Sequence, residues 1–447
     1  MGESNKTIYV LAAIYLGWLL AVLSVVGYTP TNDGAGYVEY ALWCLAEGQP
    51  YPTVSIYQQT PFVWNVGIIC LTQLSWWLFT SLTPLLMLLC VLKAGTALCM
   101  ALTTRQLFGP RAAVAAIVLF MLYPNNWGQS TMVSSEIPST FLCVLTIFLF
   151  VRHERVGERR THARDSRKPY WPYLVMGVLL ALANWFRPTA TIFVVAITAY
   201  LLVTGGRKGL RHAATATATM LAGLLLFIGV VGTSCYVRTG HFVYQARSYW
   251  FSMVDECYDG APVAPHYGQP LWPEGLPRYI SPDERRQMDC FDFERIWRER
   301  SLDYLKDHKL DYLRKIPGRI FYMYIPEYDN MPAFLADKSL PENNYITIPY
   351  RHIAGELFRL SFAQYLSLAS FAFYCFFMLL ALLGTVRLVR EQRWRQLFLP
   401  LFIVVGGTLA IAVVMHGETR FKDPLMPYVF VLSGYYLSYK HSRWKAR

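Results

Sequence analysis

The sequence predicts an all-α polytopic integral membrane protein: about ten transmembrane helices, juxtamembrane helices in a first external loop and a small helical external cap. Three observations carry this. Charged residues make up only 16% of the 447, against about 25% in an average soluble domain. The AVILMFWYC set reaches 54% and aromatics 15%, with a mean hydropathy of +0.29. Apolar runs close to the length of a spanning helix recur along the chain. This balance excludes a disordered tail or a typical soluble enzyme. The net charge of +12, from 41 Lys/Arg and 29 Asp/Glu, then reads as a marker of membrane sidedness and not of nucleic-acid binding.

In chain order, Ile8 to Gly27 follows a single Lys6 and reads as a retained anchor, because no small-x-small cleavage site stands out after it. Further runs are Pro84 to Thr104, Ala112 to Trp127, Ile137 to Val151, Tyr170 to Phe186, Pro188 to Val203, Ala213 to Gly232, Tyr365 to Val386, Leu397 to Met415 and Leu425 to Tyr439. Phe62 to Ser81 is also apolar but carries Asn65, Gln73 and a Trp76-Trp77 pair.

Cytoplasmic loops are rich in Lys and Arg. The segments Arg152 to Lys168, Arg207 to Arg211, Arg387 to Arg395, Arg105 to Arg111 and the tail from Lys440 are the basic ones; with residues 1–7 they hold 21 Lys/Arg against 5 Asp/Glu. Working back from them, Pro84 to Thr104 runs from outside to inside. Residues 28–83 then form an external loop, and Phe62 to Ser81 becomes a juxtamembrane or re-entrant segment with Trp64, Trp76 and Trp77 at the interface. Both termini lie inside; the competing topology has eleven spans and an external N-terminus. The style of compact loops suggests a bacterial inner membrane. Three parts result: an N-terminal transmembrane module over 1–232, an external cap over 233–364, and C-terminal transmembrane helices over 365–447.

The cap loop has soluble-like composition, with 16 Lys/Arg and 18 Asp/Glu. It is Pro-rich over Ala261 to Pro282. From Phe291 to Tyr324 it is helix-like, with Trp297, Leu305, Tyr312, Ile316 and Ile320 on one apolar face. Of nine cysteines, Cys44, Cys235, Cys257 and Cys290 fall outside the membrane. In an oxidising compartment Cys257 and Cys290 can staple the cap; free thiols are the other reading. No CxxC or HExxH occurs, so a structural zinc site has no support.

Charged groups at a membrane are costly, which makes them functional candidates. Asp33 lies just after the first span, with Glu39 and Glu47 following; an Asp before Gly is also an ordinary turn former. Ser134-Ser135-Glu136 opens a later span, where capping is the simpler role. Arg187, before Pro188, lies near the external surface, where it can snorkel to lipid phosphates. Lys93, in mid-span, stays unassigned. The densest cluster is His416-Gly417-Glu418-Thr419-Arg420-Phe421-Lys422-Asp423-Pro424. Arg offers a planar fork and Lys a point charge, so the cluster suits phosphate recognition; a solvated turn is the alternative.

Taken in order, Asp33, Ser135-Glu136, the run from Gly177 to Arg187-Pro188, and Glu418-Thr419-Arg420-Phe421 to Pro424 and Pro427 resemble the GT-C glycosyltransferases. The nearest branch resembles the protein O-mannosyltransferase and aminoarabinose transferase group. Arg105 to Arg111 is similar to that group's cytoplasmic turn, and Ser301 to Phe321 to its Tyr-Leu-Lys and Tyr-Leu-Arg-Lys-Ile run. The group often has paired acids in the first loop, whereas Gly34 follows Asp33 here. The chain also has no large C-terminal soluble domain.

The resemblance implies a GT-C-like fold and a polyprenyl-phosphate-linked sugar donor used on the non-cytoplasmic face. It implies Asp33 as general base for an acceptor hydroxyl, in a single displacement that inverts the anomeric centre. Arg187, Arg420, Lys422 and His416 are the expected donor-phosphate-binding residues, supported by Glu39, Glu136 and Glu418. The acceptor is a lipid, glycan or protein, and no nucleic acid is involved. No cofactor is expected, and a divalent metal stays open. Two further readings are a transporter or flippase, which would move substrate without a new covalent bond, and an O-antigen polymerase or ligase, which would use an oligosaccharide-diphosphate donor.

Overall fold

The computed structural model describes residues 3–30, 32–49, 65–161, 169–247, 249–258, 290–325, 355, 357–360, 362–415 and 417–444. Among them all regular structure is helical. The Pro-rich part of the cap, Trp64 and His416 lie outside the described residues.

The ten segments expected to span are all helical. They are α1 (Glu3–Val26), α4 (Thr83–Phe108), α5 (Pro110–Leu122), α6 (Glu136–Thr161), α7 (Trp171–Phe186), α8 (Thr191–Gly206), α9 (Gly209–Thr239), α14 (Phe362–Arg390), α15 (Trp394–Val414) and α16 (Met426–Trp444). Six are long and apolar enough to cross a membrane by length and composition: α1, α4, the Glu136–Arg155 part of α6, α9, α14 and α15. The helices α5, α7 and α8 are shorter apolar ones.

Three boundaries differ from expectation for local reasons. The Ala112 to Trp127 run breaks at Leu122, because Pro124 forces Tyr123 into extended backbone (φ −76°, ψ 110°). Trp127 then sits in a separate short helix, Asn125–Gly128. Helix α6 continues to Thr161, through half of the basic stretch expected as loop. Between α8 and α9 the backbone departs from helix at Gly206 (φ 55°, ψ −158°). The hydroxyls of Thr198 and Thr217 meet at 3.0 Å. In a straight helix they would be about 28 Å apart, so the chain reverses there into a hairpin.

Helices α7 and α9 cross at backbone contact. A Cβ on Gly177 would lie 1.9 Å from the Met220 carbonyl oxygen, and one on Gly223 2.1 Å from that of Leu174. Close approach through small residues is how helices associate where no water drives them together. The core runs through α1, α4–α8 and α14–α16, with Tyr15, Phe150, Tyr173, Phe193, Phe377 and Phe430 fully buried.

Outside this bundle, α2 (Asn32–Ala46) and α3 (Val66–Phe79) pack together. Helix α3 buries Val66, Ile68, Ile69, Thr72 and Ser75 but exposes Leu74, Trp77, Leu78 and Phe79. That one-sided burial suits a juxtamembrane helix, as its sequence suggests. The cap's described helices are α10 (Tyr249–Tyr258), α11 (Cys290–Asp307), α12 (Lys309–Arg314) and α13 (Ile316–Tyr324). Of the expected apolar face, Trp297 and Tyr312 are buried while Leu305, Ile316 and Ile320 are half-buried, over a stretch that breaks near His308 and Lys315. Cys257 is buried with its sulfur 3.9 Å from the Ser301 carbonyl oxygen; the Cys290 side chain, and with it the expected staple, lies outside what the structure describes.

Candidate active site

The C-terminal ends of α1, α7 and α15 and the N-terminal end of α6 lie at one end of the bundle. There, four segments far apart in sequence bring their charges together.

Asp33 opens α2 and Glu136 opens α6. At a helix start a carboxylate faces unsatisfied N–H groups and the positive end of the helix dipole. Arg187 is the first residue after α7, where the chain turns extended before Pro188 (φ −156°, ψ 126°). Arg420 sits on a 3-10 turn, Thr419–Lys422, between α15 and α16.

Two ion pairs form, one above the other. In the inner pair Arg187 holds Glu136, and their side chains are only 6% and 9% exposed. The Glu136 carboxylate also accepts from the hydroxyls of Ser134 (2.8 Å) and Ser135 (3.2 Å). Asn65 donates to the Ser135 hydroxyl (3.0 Å) and the Tyr37 hydroxyl (2.9 Å), tying α2 to the start of α6. In the outer pair Arg420 holds Asp33, at 31% and 26% exposure, while its Nε donates to Glu418 at 2.7 Å. Both guanidiniums lie near the Phe421 ring, that of Arg187 at 4.8 Å and that of Arg420 at 5.7 Å. A ring face favours a nearby cation. An approaching ligand therefore meets Asp33 and Arg420 first.

Burial pushes the Asp33 carboxyl above its ordinary range. Arg420 opposes the rise, Glu418 and Glu136 add to it, and Arg187 opposes it weakly. Burial works against the Arg420 charge, yet Asp33, Glu418 and Glu136 together raise its pKa, so it stays a cation. Burial, then the charges of Asp33 and Glu136, keep the Tyr37 hydroxyl protonated.

Beneath the pairs lies a small internal cavity whose lining includes Lys93, Gln129, Glu136 and Asp423. Lys93, buried in α4, holds the Gln129 side-chain oxygen. Gln129 in turn donates to Asp423 at 2.5 Å.

Of the residues expected from sequence, Asp33, Glu136, Arg187, Glu418 and Arg420 converge. Glu39 lies nearly two turns further along α2 with an exposed side chain. Lys422 takes another direction. It is fully buried, with its ammonium donating to the carbonyls of Met323 and Thr419, both at 2.9 Å; its part as a phosphate ligand is not what this geometry offers. Tyr37, Asn65 and Gln129 were not singled out, and Asp423 only as a member of the 416–424 cluster. Tyr37 alone carried a usable signal, since it lies four residues after Asp33 and so shares its helix face.

Residues 66–232 match the family model described as dolichyl-phosphate-mannose-protein mannosyltransferase. The fold is similar to solved structures of the Archaeoglobus fulgidus oligosaccharyltransferase. The apo form matches with 16% identity and a TM-score of 0.50 over 99% of this chain and 51% of that one. The AglB complex with an inhibitory peptide and a dolichol-phosphate gives 16% and 0.51, again over 99% and 51%. The complex with Zn and sulfate gives 16% and 0.52 over 98% and 49%. This chain thus spans about half the length of those enzymes. A comparison with curated protein sequences gives no significant match. The likeness read from the motifs thus agrees with a family model over residues 66–232 and with the fold of these oligosaccharyltransferases.

Proposed function

We propose that the chain transfers a sugar from a polyprenyl-phosphate donor to an acceptor hydroxyl on the non-cytoplasmic face. The observation that carries this reading is the outer pair: a carboxylate with a raised pKa held against an arginine, both open to ligand, at the end of the bundle away from the basic loops. The matching family model and the dolichol-phosphate bound by AglB support a lipid-phosphate donor. The donor's lipid type, the sugar and the acceptor are not specified by these residues.

In the proposed reaction the donor phosphate enters against Arg420 and draws it from Asp33. The freed carboxylate accepts the proton of the acceptor hydroxyl as its oxygen attacks the anomeric carbon. The bond from that carbon to the phosphate oxygen breaks, and the electron pair leaves with the lipid phosphate. Arg420 stabilises the growing charge, with Arg187 behind it. One displacement inverts the anomeric centre. The inner Glu136 keeps Arg187 oriented, and Glu418 does the same for Arg420.

The purified protein in lipid, offered radiolabelled polyprenyl-phosphate monosaccharides, should release lipid phosphate and build a new glycosidic bond. Movement of the lipid across vesicles without a new bond would replace this reading by a transporter. Use of an oligosaccharide-diphosphate donor alone would replace it by a polymerase or ligase.

A further inference from the structure

The placement of Lys422 needs its own explanation. An ammonium with no exposed surface is costly unless polar groups surround it. Two of its three N–H groups are taken by the carbonyls of Met323 and Thr419, each at 2.9 Å. The rings of Tyr324 and Tyr374 lie 5.7 Å and 5.6 Å from the nitrogen. Met323 is in the last turn of α13, where carbonyls lack helical partners and the dipole end is negative, which favours a cation. Thr419 opens the turn that carries Arg420. One nitrogen therefore joins an external helix to that turn.

The join has a second contact. Gly417 packs on α13 so closely that a Cβ there would lie 2.3 Å from the Arg319 carbonyl oxygen. Helix α13 is itself anchored along α15: Arg319 donates to the Ala412 carbonyl at 3.1 Å, and the hydroxyls of Tyr324 and Thr408 meet at 2.7 Å. The preceding Tyr312 donates to the Val413 carbonyl at 2.6 Å. Lys315 reaches the Cys257 carbonyl of α10 at 3.2 Å. On a turn with three residues per revolution, side chains two apart leave about 120° from each other. Lys422 can thus grip α13 while Arg420 faces Asp33.

We propose that Lys422 is a positioning residue whose ammonium clasps the last turn of α13 to the 419–422 turn, so that the external helices determine where Arg420 points. This rests on Arg420 being the donor-phosphate ligand proposed above. The clasp can nevertheless be tested without turnover. Hydrogen–deuterium exchange on the full-length protein in nanodiscs would compare wild type, Lys422→Met, Gly417→Ala and the double variant. The glycine variant keeps the lysine charge and serves if Lys422→Met does not fold. Each single change should speed exchange severalfold in peptides covering 417–424 and 316–324. The double variant should exchange no faster than the worse single one, since the two contacts hold one join and loss of either opens it. With a transferable donor, both single variants should raise the donor KM and lower kcat together. Unchanged exchange in Lys422→Met with only a raised donor KM would make Lys422 a direct phosphate ligand and overturn the clasp. Effects that add in the double variant would also overturn it. A wild type that transfers no sugar refutes the proposed reaction, and the exchange comparison still decides the clasp.

Discussion

The two ends of the bundle use the same ionic groups to different purpose. At the basic end, Arg387 pairs with Glu391 four residues on, at 2.7 Å and about a quarter exposed, and Tyr435 donates to the same carboxylate at 2.6 Å. There too, Tyr173 donates to Glu154 at 2.5 Å, with His212 3.5 Å from that carboxylate. At the opposite end Asp33 meets Arg420, and Glu136 meets buried Arg187, from loops and helix ends of distant segments. A partly exposed pair four residues apart at a helix end contributes a few tenths of a kcal/mol. A pair held between distant segments in a desolvated site makes each charge depend on its partner, and leaves one partner able to exchange for a ligand. Ionic content alone does not mark a site, and neither does exposure, which is alike for Arg387–Glu391 and Arg420–Asp33; the joining of charges from distant segments does.

That contrast can be broken most severely at Asp33. Asp33→Asn should lower transfer by about a thousandfold, the scale of a lost general base, while thermal stability and membrane insertion stay near wild type. Retained activity would remove Asp33 from the chemistry. Arg420→Ala should cost about a hundredfold in kcat/KM through lost stabilisation of the leaving phosphate; an unchanged donor dependence would show that the phosphate binds elsewhere.

The inner pair should behave differently from the outer one. Glu136→Ala leaves the buried Arg187 charge without its carboxylate and should destabilise the fold by about 3–5 kcal/mol, read as a lower midpoint in thermal unfolding. Adding Arg187→Met should recover most of that stability without recovering activity. If both variants melt like the wild type, the inner pair is not a buried one.

The pH profile sharpens the comparison. Catalysis as proposed needs Asp33 ionised, and burial raises its pKa above 3.8. Activity should therefore fall, as pH drops, at a higher pH than for an ordinary aspartate. Arg420 opposes that rise, so in the residual activity of Arg420→Ala the acid limb should move further up; a limb that moves down would contradict the pairing. The smallest effect belongs to the basic end, where Glu391→Gln should alter kcat/KM by less than about threefold.

Much of this was legible in order along the chain. Membrane residence, helix number and the likeness of the motifs follow from composition and apolar run length, which depend on near neighbours. So did the candidacy of Asp33, Arg187 and Arg420, because charged residues beside spans are few. The break at Pro124 and the reversal at Gly206 softened run boundaries that hydropathy cannot resolve, since an apolar residue looks the same in a span and in the turn beyond it. Lys422 shows the other limit. Beside Arg420 in sequence it shares the same cationic chemistry, yet a 3-10 turn separates their directions, and a helix that ends a hundred residues earlier claims the lysine.

By itself, then, the sequence determined an all-α membrane chain, the bias of its basic loops and the short list of charged groups able to do chemistry. Tertiary structure decided which carboxylate meets which guanidinium, which pair stays open to ligand, and that Tyr37, Asn65, Gln129 and Asp423 belong to the site's frame. The physical reason is range. Hydropathy and helix ends are set by residues within a turn or two, whereas an ion pair across 387 positions exists only once the helices have packed and excluded water around it.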